Sequence, residues 1–64
     1  MKNHTVTKAQ EARIGIPAGT VIQVEMYTEK EIQERIERVP EVRNIAKNYY
    51  LNGQRRGGIL HLTD

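Results

Sequence analysis

The sequence predicts an α+β fold: a small antiparallel β-sheet of two hairpins covered on one face by a single α-helix, in ββαββ order. Three observations carry this. Apolar residues alternate on both sides of Pro17-Ala18-Gly19, a helix-opening signal stands at Thr28, and Asn52-Gly53 separates two strand-like runs. The same residues admit an alternative with two helices and fewer strands, whose best-known form is a ribbon–helix–helix dimer with Thr20–Met26 as the ribbon.

The first eight residues are polar and are expected to fray, leaving residues 9–64 as one small domain. Ile14 and Ile16 alternate with Arg13 and Gly15, and Ile22, Val24 and Met26 alternate with Gln23 and Glu25. Period two on both sides of a turn reads as a hairpin, with proline presetting φ and Gly19 supplying a positive φ. The predicted helix starts at Thr28, where Glu31 completes a capping box, and presents Ile32, Ile36 and Val39 as one stripe. Glu31–Arg35 and Glu34–Arg38 stand at the favourable i,i+4 spacing, and Pro40 is read as the stop that closes a helix over 29–38.

Residues 41–52 fit either state. Val42, Ile45, Ala46 and Tyr49 share one helical face, and Pro40 could open a second helix closed by Gly53. The asparagines, paired tyrosines and valine of this stretch are mediocre helix formers, and Asn-Gly is a strong hairpin signal. The hairpin is therefore favoured, with Leu51 facing Gln54, Tyr49 facing Arg56 and Ile45 facing Leu60. Its sheet would pack Ile14, Ile16, Ile22, Val24, Met26, Ile45, Leu60 and Leu62 under the helix stripe.

Composition narrows the chemistry. Sixty-four residues build one thin core, and with no cysteine the chain has neither disulfides nor thiolate metal sites. Domains this small net only about 3–5 kcal/mol without such a staple, which makes a homodimer or stabilisation on a partner the natural supplement. No apolar run approaches the length of a membrane helix and the first residues lack a signal-peptide core, so a cytoplasmic location is expected.

Nucleophilic catalysis lacks its parts, since serine is absent as well as cysteine and the five threonines have no neighbouring His–acid arrangement. His4 and His61, at opposite ends, are too few for a zinc site. No cofactor, metal or enzymatic activity is expected. One remote catalytic alternative is a small ribonuclease toxin, which would need Tyr49, Tyr50, Arg55, Arg56 and His61 gathered at one end of a sheet.

Charge is segregated along the chain. Residues 25–41 carry six glutamates against Lys30, Arg35 and Arg38, whereas residues 42–64 carry Arg43, Lys47, Arg55 and Arg56 against Asp64 alone. Within this basic end Arg55 and Arg56 sit between Gly53 and the pair Gly57-Gly58, where open backbone N–H groups and guanidinium forks could take phosphate or carboxylate. Tyr49 and Tyr50 would add rings for stacking or for anchoring in an interface. The bland reading is a solvated turn whose charges protect an edge strand.

Taken together, these residues predict a non-enzymatic binding protein that docks on a larger protein or nucleoprotein complex. Tyr49, Tyr50, Arg55 and Arg56 are its expected anchors, supported by Arg43 and Lys47. Its size suits an inhibitor or regulator of host machinery of the kind that phages and mobile elements encode. The alternative is a dimeric nucleic-acid-binding regulator using the same basic hairpin, although Glu25 on the outward side of a ribbon is a poor residue for a DNA groove.

Overall fold

A computed structural model describes residues 1–35, 37 and 39–63. Among them the chain runs β1 (Lys2–Thr5), α1 (Lys8–Ile14), β2 (Val21–Met26), α2 (Glu29–Glu34), α3 (Val39–Arg43), β3 (Ile45–Leu51), β4 (Gln54–Arg55) and β5 (Leu60–His61). The α+β class and the antiparallel sheet hold. The ββαββ order and the single helix do not, because the sheet has five strands in the order β1-β2-β3-β4, with β5 also on β3, and three short helices interrupt it.

The polar N-terminus is a strand rather than a frayed tail. Lys2, Asn3, His4 and Thr5 pair antiparallel with Val24, Gln23, Ile22 and Val21. Strand formation here comes from the ladder to β2 and not from apolar composition.

The first predicted hairpin is overturned in its first strand. KAQEARI forms α1, opened by a capping box in which Thr7 Oγ1 accepts from Gln10 N–H at 3.2 Å and Gln10 Oε1 accepts from Thr7 N–H at 3.1 Å. Gly15, at φ 71°, closes it in the left-handed conformation, and its N–H donates to the Glu11 carbonyl. The turn at Pro17–Thr20 does form, with Thr20 N–H donating to Pro17 O at 3.2 Å, but it leads from α1 into β2. The strand that faces β2 there is β1.

Thr28 caps α2 with the predicted reciprocal bonds to Glu31. The helix nevertheless ends at Glu34, with Arg35 as its cap, so it is shorter than 29–38. Pro40 lies near the start of α3 instead of closing α2, a position where its missing N–H costs no hydrogen bond. Arg35 does not pair with the Glu31 carboxylate. Its guanidinium lies over the Tyr27 ring, 5.3 Å from the centroid, while Glu31 turns to Lys47. The expected packing of Ile36 and of the Val39 side chain, and the Glu34–Arg38 pair, lie outside the described residues.

β3 resolves the ambiguous stretch largely as strand, preceded by the helical turn of α3. Leu51 pairs with Gln54 and Tyr50 with Arg55 around Asn52-Gly53, and Arg56 N–H donates to Tyr49 O at 3.2 Å. Beyond this the simple hairpin register fails by one residue: His61 pairs with Ile45 and Leu60 with Ala46. The slip occurs across residues 56–59 and decides which aliphatic is buried. Leu60 enters the core at 2% exposure, and Ile59 is left outside at 61%.

The main core joins Val6, Ile16, Ile22, Val24, Ala46, Tyr49 and Leu60, with Ile14, Met26, Leu51 and Leu62 packed against it. Ile45 stays half-buried outside this cluster, and Ile32 of α2 and Val42 of α3 are buried apart from it. Among the described residues Gln10 is the buried polar one. Its Oε1 accepts from Thr7 N–H and, at 2.8 Å, from His4 Nε2, while its Nε2 donates to the His61 carbonyl. One side chain of α1 therefore ties the first strand to the last.

Candidate functional site: the outer face of the sheet

Adjacent residues of a strand point to opposite faces of its sheet. Ile22, Val24 and Tyr49 face the core, so Gln23, Glu25 and Tyr50 face out. The register lines up Asn3, Gln23, Tyr50 and Arg55 as one row crossing β1, β2, β3 and β4. Neighbouring strands stand roughly 4.8 Å apart, which makes this row roughly 14 Å long. Asn3, Gln23 and Arg55 are exposed and Tyr50 is half-buried. Val21 lies one step along β2 on the same side, 59% exposed, and a shallow depression opens between Val21, Gln23, Tyr50 and Asn52.

Tyr50 does not lie loose on this face. Its hydroxyl donates to Glu25 Oε2 at 3.2 Å, and Asn48 Nδ2 donates to the same oxygen at 2.8 Å. These two bonds, the Asn48 one foremost, hold the Glu25 carboxyl below its ordinary 4.5, with Lys47 adding to the effect. Lys47 Nζ meets Glu31 Oε2 at 3.0 Å, which holds the Glu31 carboxyl low and raises the Lys47 ammonium above its ordinary 10.5. The pair is available because Lys47 is an extra residue in β3: Met26 pairs with Ala46 and Glu25 with Asn48, so Lys47 stands between them.

The six predicted anchors are thus divided. Tyr50 and Arg55 stand side by side on the outer face. Tyr49 is 7% exposed and belongs to the core, which removes it as a stacking ring, and Lys47 is committed to Glu31. Arg56 is exposed and lies just beyond the end of β4, where its N–H donates to the Tyr49 carbonyl. Arg43, exposed on α3, lies at the opposite end of β3, roughly 20 Å from the Tyr50–Arg55 pair at strand rise. Arg43, Arg55 and Arg56 make no ion pair among the described residues.

The constellation a ribonuclease would need does not assemble. Tyr49 and Tyr50 point to opposite faces, and His61, exposed on β5, pairs with Ile45 about five residues along β3 from Tyr50. Among the described residues no three His, Asp or Glu side chains are grouped to hold a metal ion, and no helix is long and apolar enough to cross a membrane.

Sequence reasoning missed Asn3, Gln23 and Glu25 as members of the site. Glu25 and Gln23 were legible as the polar half of the β2 alternation. Asn3 was not, since β1 had no pattern to mark it. No protein-family model, curated protein or solved structure matches the chain.

Proposed function

We propose that this chain is a non-enzymatic docking protein that acts by occupying a site on a larger protein, as a small inhibitor or regulator of the kind phages and mobile elements encode. The observation that carries the reading is the row Asn3–Gln23–Tyr50–Arg55, with Tyr50 fixed by Glu25 and the exposed Val21 beside it. Tyrosine and arginine are the residue types that most often dominate interface energetics. A ring already held by a hydrogen bond loses little freedom on docking. Flanking charges of both signs, Glu25 and Arg55, favour a partner of matching mixed polarity over a uniformly charged polymer.

The nucleic-acid alternative keeps Arg43, Arg55 and Arg56 but lacks a continuous basic strip. Between Arg43 and Arg55, β3 carries a lysine already paired with Glu31, and Glu25 lies alongside. Three cations neutralise few phosphates, so affinity would fall to weak background at near-physiological salt.

Photo-crosslinking tests the docking reading. With the photoreactive residue at position 23, on the outer face, one protein should be captured repeatedly from host extract; at position 12, on the exposed side of α1, it should not. Capture through position 12 alone would overturn the assignment of the face. Tight, salt-dependent binding of DNA or RNA that disappears in Arg55→Ala/Arg56→Ala would replace protein docking with nucleic-acid regulation.

A further inference from the structure

The sheet has one continuous open edge among the described strands. On one side β4 and β5, two residues each, are separated by residues 56–59. On the other, β1 pairs with β2 alone. Val6 N–H donates to Thr20 O, and the register then runs without a break through Thr5–Val21, His4–Ile22, Asn3–Gln23 and Lys2–Val24. In an antiparallel ladder alternate residues turn their N–H and C=O toward the same neighbour. Val6, His4 and Lys2 therefore bond toward β2, and Asn3 and Thr5 direct both backbone groups away from the sheet.

We infer that the chain pairs with a second copy of itself through this edge, β1 antiparallel to β1, about a two-fold axis at His4. In that register Asn3 of each copy lies opposite Thr5 of the other. Each such pair exchanges two N–H···O=C bonds, so four bonds use every outward backbone group of Asn3 and Thr5. Lys2 falls opposite Val6 of the second copy, and the two Lys2 residues stand roughly 13 Å apart at strand rise, beyond the roughly 8 Å over which exposed charges act at physiological salt. β1 carries no proline and no bulge; what blunts it is its shortness, four residues, and Lys2 at its outer end, away from the Asn3 and Thr5 groups that would pair. The two-fold satisfies this edge with itself, so no second sequence is required.

The inference is independent of the docking face. Its consequence is one continuous sheet with two Tyr50 rows on the same side, presented for bivalent engagement.

Sedimentation equilibrium from roughly 10 µM to roughly 1 mM tests it, because self-association appears as concentration dependence. The wild-type average mass should rise toward twice that of the monomer. Thr5→Pro and Asn3→Pro each delete an outward N–H and leave the bonds to β2 intact, so both should stay monomeric with an unchanged circular dichroism spectrum. A mixed sample of isotope-labelled and unlabelled wild-type chains should show a contact between the His4 Hα protons of the two copies, a readout that needs no variant. A wild type monomeric throughout, a dimer that persists in both proline variants, or a dimer without the His4 contact would each overturn the proposal.

Discussion

The hydroxyl of Tyr49 packs against Gly57, only 2.6 Å from where a β-carbon on that glycine would stand. Gly57 also holds φ 95°, a conformation that side-chain-bearing residues rarely adopt. The contact lies in the segment 56–59, where the pairing of β3 slips by one residue and Leu60, not Ile59, is buried.

Gly57→Ala should therefore destabilise the protein by about 2 kcal/mol or more, combining backbone strain with overpacking. Tyr49→Phe removes the clashing oxygen. It should be close to neutral alone, yet recover part of the loss in the Gly57→Ala background. Urea unfolding of the four proteins measures this coupling, and strictly additive losses would mean the two residues do not press on one another.

Gln10 predicts a second effect. Gln10→Leu keeps the volume but leaves Thr7 N–H, the His4 ring and the His61 carbonyl without the partner they share. A loss of about 1–2 kcal/mol is expected in urea unfolding, since the groups that lose this partner belong to half-buried and exposed residues, where water replaces part of the lost bonding. Hydrogen exchange should rise in β1 and β5 together, because the side chain joins them.

The outer face sets the pH dependence. Glu25 and Glu31 are held below 4.5 in the folded protein, so their stabilisation is fully present above that unfolded value and is lost as pH falls through the lower folded values. Lys47 is raised above 10.5, so its contribution is complete below that pH and disappears as pH climbs through the higher folded value. Thermal melts should be flat between these limits and decline at both ends. Glu25→Gln should shallow the acid decline and leave the alkaline one nearly as in the wild type.

The parts of this fold that were legible in the sequence are those fixed by short-range chemistry. Asn52-Gly53 gave the turn and the Leu51–Gln54 pair, and Thr28 with Glu31 gave the start of α2. Thr7 and Gln10 carry the same capping signature, followed by helix formers and Gly15, but the alternation of Ile14 and Ile16 masked it. Only one of those isoleucines belongs to α1; Ile16 reaches the core from the segment beyond it. β1 was illegible because KNHT has no apolar period, and its order is imposed by Val21–Val24 across the ladder. The extra residue Lys47 and the slip across 56–59 depend on tertiary packing and leave no local mark. For the site, strand alternation alone implied that Tyr49 and Tyr50 could not both be exposed, which was enough to exclude a two-tyrosine platform.

The most direct test of the docking face is an affinity titration of the purified cross-linked partner with wild type, Tyr50→Ala and Arg43→Ala. The account predicts that Tyr50→Ala weakens binding by about thirtyfold, the equivalent of about 2 kcal/mol, with the fold retained. Arg43→Ala, at the far end of β3, should change affinity less than about threefold. Full affinity in Tyr50→Ala would contradict the claim that this row of the sheet is where the protein binds.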